Sequence, residues 1–297
     1  MRNRLCTTPP NREHDRAGRL ETEDSSERVT RHIPAIDISA LTVRYRRAQH
    51  DDELVAIEDL QLTVGEGEFV AVVGPSGCGK STLLQVVAGL IPPSAGEVRV
   101  EGKPVQGPGP ERAVVFQDYA LLPWRTVEGN IRFGLEMQGR YDSSRAEEIS
   151  RYIHMVGLDG FEQTYPRELS GGMRQRVGLA RALVTEPRIL LMDEPLAAVD
   201  AMTRERMQYE LENIVKTTAQ AVLFITHSVD EAITLADRVA VMTTGPGRIK
   251  ENLRVELPRP RGRSVRGEPR YTELRDQIWS LLEQESIDPT FDMEATG

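Results

Sequence analysis

The sequence is poor in cysteine and has no long apolar run. Only two of its 297 residues are cysteines, Cys6 and Cys78. They lie far apart, so no disulfide framework is indicated and a reducing cytoplasm is expected. No stretch approaches about 18 consecutive apolar residues, and the first thirty residues lack the apolar core of a secretory signal. We therefore predict no membrane span and no secretion, so that any membrane role comes through a partner.

Positive charge is also scarce. Lys and Arg number 37 against 46 Asp and Glu, which gives a net charge of −9. This balance disfavours non-specific nucleic-acid binding as the main activity, and we expect no nucleic-acid partner. The hydrophobic share of 39% is ordinary for a globular protein, and the length suffices for one large α/β domain or two smaller ones.

The two ends of the chain differ in composition from its middle. Residues 1–33 contain almost no large apolar side chains and cannot offset their ordering entropy, so we predict a disordered tail. For residues 258–297 we predict a basic, proline-rich linker that is a solvated connector. One amphipathic helix that packs on the domain surface is expected to follow it. The apolar residues of this helix recur at helical spacing: Leu274, Ile278, Leu281 and Leu282.

Residues 34–257 alternate between strand and helix patterns. Residues 36–43 alternate like a half-buried strand. Continuous apolar runs, which suit a parallel sheet covered on both faces, occur at 69–73, 189–192, 221–225 and 239–242. Residues 118–184 are mainly helical in character. The pattern predicts a doubly wound α/β core with an inserted helical part at about 118–184.

A glycine-rich segment between an apolar strand and a helical pattern matches G-x-x-x-x-G-K-[ST]. Its glycines allow successive N–H groups to surround an anion, and the following helix directs its N-terminus there. Lys80 supplies charge for the β- and γ-phosphates of a nucleotide, and Ser81 a hydroxyl for Mg²⁺. A simple surface turn is disfavoured by the flanking strand and helix. The residues are Gly74, Pro75, Ser76, Gly77, Cys78, Gly79, Lys80, Ser81 and Thr82.

Two carboxylates follow the apolar run at 189–192. Asp193, at the carboxyl end of a strand, is predicted to hold Mg²⁺, usually through water. Glu194 is placed to orient or deprotonate an attacking water. Standing alone, the pair would indicate an exposed turn before Pro195; the phosphate loop favours the catalytic interpretation.

A second anion site is predicted where Ser170, Gly171 and Gly172 precede a helix, because a hydroxyl and bare N–H groups meet a positive helix end. A single strand–loop–helix unit holds one nucleotide, so the second site is best explained as serving the nucleotide of another subunit in a head-to-tail homodimer. As an isolated string, it would more often be only a helix cap.

In order, these residues resemble the motifs of the ATP-binding subunit of an ABC transporter over about 36–257. The resemblance implies a RecA-like P-loop NTPase core, an N-terminal antiparallel β subdomain, an inserted α-helical subdomain, and ATP with Mg²⁺ as ligands. Residues 74–82 resemble Walker A and 189–194 Walker B. Residues 169–175 resemble the signature, with Met173 where glutamine is commonest. Further matches are Gln117 of the Q-loop, Asp200 of the D-loop at 197–200, the switch histidine His227, and Tyr45 as the adenine-stacking aromatic.

Each of these last matches also has a plainer interpretation. The Gln117 amide can bridge metal or water and report the γ-phosphate to the helical insertion, or it is only a polar residue at a strand end. His227 is expected to contact the γ-phosphate, although an isolated histidine is more often structural. The ring of Tyr45 is suited to stacking on a nucleotide base; the plainer interpretation is that it is a core residue.

The string at 116–127 is typical of the nitrate, sulfonate and taurine importer group. In such proteins the apolar residues 121–124 lie where a membrane permease docks. The resemblance implies a peripheral ATPase at the cytoplasmic face of the membrane, paired with permease subunits and, through them, a periplasmic or lipid-anchored solute-binding protein. An ABC exporter or lipoprotein-releasing complex is the alternative, with a non-transport ABC ATPase acting on DNA or ribosomes disfavoured. The substrate is not encoded in this chain.

Overall fold

The structure is a computed structural model that describes residues 33–46 and 53–286. The tail predicted at 1–33 lies outside the described residues except for Ile33. Within the described ranges, no helix is long and apolar enough to cross a membrane.

The first sheet is antiparallel and has the strand order β2-β1-β4-β5. Its strands are β1 (Ile36–Arg46), β2 (Glu53–Val64), β4 (Ala95–Val100) and β5 (Lys103–Pro104). Two apolar runs at 54–57 and 60–64 form the single strand β2, because the backbone bends at Asp59 (φ 49°) and the pairing with β1 shifts register there instead of breaking.

The second sheet has six strands in the order β10-β9-β3-β8-β7-β6. All neighbours are parallel except β9 and β10. The continuous apolar runs form strands that are buried at every residue in β3, β7 and β8, which confirms the predicted parallel core. The strands are β3 (Phe69–Val73), β6 (Arg112–Val115), β7 (Ile189–Asp193), β8 (Ala221–Ile225), β9 (Arg238–Met242) and β10 (Ile249–Arg254).

Three helices are inserted between β6 and β7, and four others lie elsewhere in the described chain. The inserted helices are α2 (Val127–Met137), α3 (Ala146–Met155) and α4 (Gly171–Leu183), with α2 packed on the other two. Asp142 caps a short 3₁₀ turn, Ser143–Arg145, that precedes α3. The remaining helices are α1 (Lys80–Ala88), α5 (Ala201–Thr218), α6 (Val229–Leu235) and α7 (Pro269–Ser286).

The basic segment after the second sheet is not the solvated connector that the sequence predicts. Arg261 is only 5% exposed and donates to backbone oxygens of Ile233 (3.1 Å), Val255 (2.9 Å) and Ala236. Arg259 forms ion pairs with Glu212 and Asp237. That prediction is wrong because carbonyls near the end of α6 lack intrahelical donors and take them from this arginine.

The C-terminal helix packs against α6. Leu274 and Ile278 are buried in the core cluster below the sheet. The hydroxyl of Tyr271 donates to Asp230 at 2.7 Å, which fixes the start of α7 to the start of α6. The apolar spacing seen in the sequence therefore corresponds to the face of α7 that is buried.

Candidate functional site

The phosphate loop connects β3 to α1 and encloses its own lysine. The Nζ atom of Lys80 donates to the backbone oxygens of Gly74 at 2.8 Å and Pro75 at 2.7 Å, and the side chain is 8% exposed. Gly79, before α1, has φ 96°, and an added Cβ would lie 2.9 Å from the Ala56 oxygen. Only glycine fits this position. The backbone thus curves around the point where Lys80 would meet phosphates.

The remaining loop residues divide between the surface and the interior. Ser76, Gly77 and Ser81 are exposed, whereas Cys78 is buried with its sulfur 3.7 Å from the Nζ of Lys80. Burial raises the pKa of the Cys78 thiol. The Cys78 side chain therefore packs beneath the loop, and its contribution to an anion site is through the backbone.

Asp193 ends β7 with a carboxylate oxygen that lacks a protein partner. In the described chain, its buried Oδ1 accepts no hydrogen bond. The pKa of Asp193 is raised, mainly by burial. A hydrogen bond from Ser81 and the charge of Lys80 oppose this rise, and the charge of Glu194 adds to it. An orphaned carboxylate oxygen beside a hydroxyl fits a hard divalent cation.

The described residues contain no group of three or more His, Cys, Asp or Glu side chains suited to a metal ion. A cation at Asp193 and Ser81 would therefore complete its coordination with phosphate and water oxygens. This donor set is the one that Mg²⁺ prefers in nucleotide sites.

Glu194 is held at its backbone and its side chain. Its φ of 47° lies in the left-handed region, unusual for a residue with a side chain. Its N–H donates to Ile225 at 2.9 Å, and its Oε2 lies 3.1 Å from Nδ1 of His227, which follows β8. Such strain persists only where the surroundings fix it, and it is concentrated at functional sites. Strand β8 thus places His227 beside the predicted base.

Tyr45 lies on a strand of the first sheet, and Gln117 follows a strand of the second. The Tyr45 hydroxyl lies 3.4 Å from Oγ1 of Thr82, so β1 meets the phosphate loop. Gln117 is exposed two residues after the end of β6, and Val115 pairs with the residue before Asp193. The structure therefore places Tyr45 against the loop, and Gln117 beyond the strand next to β7.

The signature residues lie at the start of α4. Ser170 caps α4 by accepting from the N–H of Met173 at 3.3 Å, as the plainer interpretation predicts. Among the described residues, no hydrogen bond joins Ser170, Gly171 or Gly172 to residues 74–82. Gly172 also allows a close approach to the D-loop, because an added Cβ at this residue would lie 2.9 Å from the Ala198 oxygen.

Asp200, the predicted D-loop residue, is exposed and caps α5 by accepting from the N–H of Thr203 at 3.0 Å. This backbone hydrogen bond lowers the pKa of Asp200. Arg204, on the next turn, donates to the Val199 oxygen at 2.8 Å and pairs with buried Glu231 at 3.5 Å. The sequence reasoning missed Arg204; its position one turn into a helix that follows a predicted active-site loop was the available signal.

Two buried side-chain amides, Gln175 and Asn130, were also not predicted from the sequence as parts of the site. Gln175 is 2% exposed and bridges the backbones of Glu194 and Ala198. Asn130 is fully buried; its Oδ1 accepts from Leu122 N–H and its Nδ2 donates to the oxygens of Leu122, Arg125 and Thr126. A polar residue within an apolar helical pattern signals such a role, but not its partners.

Residues 121–124, which the resemblance places at the permease contact, differ in their exposure. Leu121 packs against the core, and Leu122 is half-buried and fixed by Asn130. Trp124 is 71% exposed. The apolar patch is therefore narrower than the sequence suggests and centres on one indole ring.

A phosphate loop after β3, an acidic residue at the end of β7 and a strand between them together define a P-loop nucleoside triphosphatase. The family model described as "ABC transporter" matches residues 57–197. An ABC transporter ATP-binding protein of Methanocaldococcus jannaschii is 51% identical over 78% of this chain and 86% of its own. The chain belongs to the ATP-binding proteins of ABC transporters, which bind and hydrolyse ATP.

Other similar proteins have more specific names. A nitrate import ATP-binding protein, NrtD of Synechocystis sp., is 42% identical over 87% of this chain and 98% of its own. A taurine import ATP-binding protein, TauB of Burkholderia pseudomallei, is 47% identical, with coverages of 78% and 92%. The dimeric post-hydrolysis structure of the cassette MJ0796 with ADP and Pi superimposes with a TM-score of 0.67 at 27% identity, covering 75% of this chain and all of that one.

Proposed function

We propose that the chain is the ATP-hydrolysing subunit of an ABC importer for nitrate, taurine, a sulfonate or a similar small solute, located at the cytoplasmic face of the membrane. The observation that carries the proposal is its similarity, over most of its length, to the ATP-binding proteins named for nitrate and taurine import. Trp124 is 71% exposed in the segment 121–124, which the importer resemblance places at the permease contact.

In this function the phosphate loop binds the β- and γ-phosphates through its backbone N–H groups and Lys80. Ser81 and Asp193 would hold Mg²⁺, with Gln117 reaching the metal or its water. The ion supplies neutralisation of the negative charge that accumulates on the transferred phosphoryl group. Tyr45 would stack on the adenine.

Glu194 orients the attacking water and accepts its proton. His227, 3.1 Å away, holds the carboxylate in place and contacts the γ-phosphate. The left-handed backbone at Glu194 supports this role, because backbone strain of this kind is concentrated at functional sites.

Two copies form the working unit. Ser170, Gly171 and Gly172 of one copy would contact the nucleotide on the phosphate loop of the other, with Asp200 near the same interface. In support, Ser170 is exposed and has no hydrogen bond to its own loop in the described chain. The solved MJ0796 neighbour is itself dimeric. Closure and opening of this pair would drive the permease between its two access states.

The test is co-purification of the tagged chain from detergent-solubilised membranes of the source cells. We expect membrane permease subunits to be recovered, and uptake of labelled nitrate or taurine to be lost when the chain is deleted. Trp124→Ala should lower permease recovery at least about tenfold, a loss typical of a hot-spot aromatic. Trp279→Ala, at a second partly exposed tryptophan on α7, is the matched control.

Recovery of ribosomes or DNA-repair proteins in place of a permease would contradict the proposal. Recovery of a permease with unchanged uptake of small anions, but loss of export or of lipoprotein release, would favour the alternative transporter class.

A further inference from the structure

Gln175 joins two parts of the candidate site that are distant in sequence. It lies on α4, one turn after the Ser170 cap, and is 2% exposed. Its Nε2 donates to the backbone oxygen of Glu194 at 2.8 Å, and its Oε1 accepts from the N–H of Ala198 at 3.0 Å. Both ends of the amide are therefore hydrogen-bonded, one to the residue of the predicted base and one to the D-loop.

The Glu194 backbone is where such a contact has the greatest effect. Its φ of 47° is unfavourable for a residue with a side chain and needs external support. The carbonyl of this residue accepts from Gln175 at 2.8 Å and from the Ala197 N–H at 3.2 Å, while the N–H is held by Ile225. Loss of the shorter Gln175 bond would leave the carbonyl on the Ala197 turn alone and would loosen the position of the carboxylate beside His227.

The start of α4 also contacts the D-loop directly. Gly172 approaches Ala198 so closely that an added Cβ would lie 2.9 Å from the Ala198 oxygen. Ala198 is thus contacted through its oxygen side by Gly172 and through its N–H by Gln175. The start of α4 is therefore linked to the Glu194 backbone through two contacts with Ala198 and one hydrogen bond from Gln175.

We propose that Gln175 is a positioning residue that couples the two nucleotide sites of the dimer. This rests on the proposed function, in which Ser170–Gly172 serve the partner's nucleotide and Glu194 serves the chain's own. Engagement of the partner's γ-phosphate at the start of α4 fixes Gln175, and Gln175 fixes Glu194 in its hydrolytic position. Each chain therefore holds its own Glu194 more firmly in the hydrolytic position when it binds the other chain's nucleotide.

The test uses the full-length chain with Gln175→Met, which keeps the side-chain length and removes both hydrogen bonds. We expect kcat for ATP hydrolysis to fall between about tenfold and a hundredfold, as expected for a misplaced catalytic group. The ATP affinity of the monomer should stay within about twofold, and the Hill coefficient for ATP should fall towards 1. Gln220→Met is the matched control. Gln220 is also buried, but it precedes the first residue of β8, whereas His227 follows the last.

A double-mutant cycle separates coupling from local support. If Gln175 transmits engagement of the signature, Gln175→Met should cost less when Ser170→Ala has already removed that engagement. Equal costs in both backgrounds would overturn the proposal, as would wild-type kcat in Gln175→Met or an equal loss in Gln220→Met. A wild-type chain that hydrolyses ATP without cooperativity as a monomer would instead overturn the proposed dimer, and the coupling with it. A cooperative wild type with an unaffected Gln175→Met overturns only the coupling.

Discussion

At the scale of single residues, the site contrasts two neighbouring carboxylates. Asp193 is buried with an unpartnered oxygen, whereas the Glu194 side chain lies beside His227. Burial raises the pKa of Asp193, so the folded chain without a cation holds this charge at a cost. A group prepared for a ligand in this way is expected to destabilise the ligand-free protein.

Asp193→Asn should therefore stabilise the nucleotide-free chain at neutral pH. An acid whose pKa is higher in the folded state binds more protons when the chain is folded. Its contribution to the free energy of unfolding therefore falls as the pH rises from the unfolded pKa through the folded pKa. Thermal unfolding without Mg²⁺ or ATP should give a higher Tm for the variant at pH 7. The difference should vanish below about pH 4, where the carboxyl is protonated in both states.

The control for this comparison is Asp276→Asn, at an exposed position on α7. It should change the Tm little, and in particular should not reproduce a gain that disappears in acid. A wild type more stable than Asp193→Asn at neutral pH would show that the ionised Asp193 is well compensated in the folded chain.

At the scale of elements, the end of α6 depends on an arginine that follows the second sheet. Arg261 is buried, and its guanidinium donates to backbone oxygens around the end of α6 and after β10. Burial lowers the pKa of Arg261 to about 10, which still leaves the group charged at neutral pH. Helix α7, whose Tyr271 contacts Asp230, lies over the same helix. The C-terminal segment is thus part of the support for α6, the helix that follows His227.

Arg261→Met should lower the free energy of unfolding by about 2–4 kcal/mol, because it leaves several buried carbonyls without a donor. Urea denaturation measures this change. Arg254→Met, at an exposed position in β10, is the matched control and should stay within about 0.5 kcal/mol of the wild type. Equal stability of the two variants would mean that water replaces the Arg261 contacts.

At the scale of the whole molecule, the proposed site is divided between two surfaces. Lys80, Asp193, Glu194 and His227 gather at one edge of the six-stranded sheet, while Ser170 caps α4 with no hydrogen bond to residues 74–82 in the described ranges. The anion site proposed at the start of α4 would serve a nucleotide only if that nucleotide arrives on another copy. The division itself is therefore the reason to expect an ATP-dependent dimer.

Glu194→Gln should lower ATP hydrolysis at least about a hundredfold while ATP binding persists, since a general base typically contributes that much. With ATP present, size-exclusion chromatography should show this variant as a dimer. Adding Ser170→Ala should shift it back towards monomer without changing monomer affinity for ATP. The control Glu186→Gln makes the same change at another residue with φ 47°, exposed after α4, and should retain activity.

Either of two results would contradict this picture. Hydrolysis near the wild-type rate in Glu194→Gln would remove Glu194 as the base. A large loss of monomer affinity in Ser170→Ala would place Ser170 in its own chain's nucleotide site.

Residue type and spacing are enough to predict the features that depend on local order. The phosphate loop, Asp193 and Glu194 follow directly from residue type and spacing, and the buried runs of β3, β7 and β8 from their composition. Tertiary structure alone decided which distant groups meet. The bend at Asp59, the pairing of β10, the partners of Gln175 and the burial of Arg261 all rest on contacts with residues remote in sequence or on backbone groups. Backbone donors and acceptors carry no signature in the side chains of their own residues, so their partners become visible only when the chain is folded.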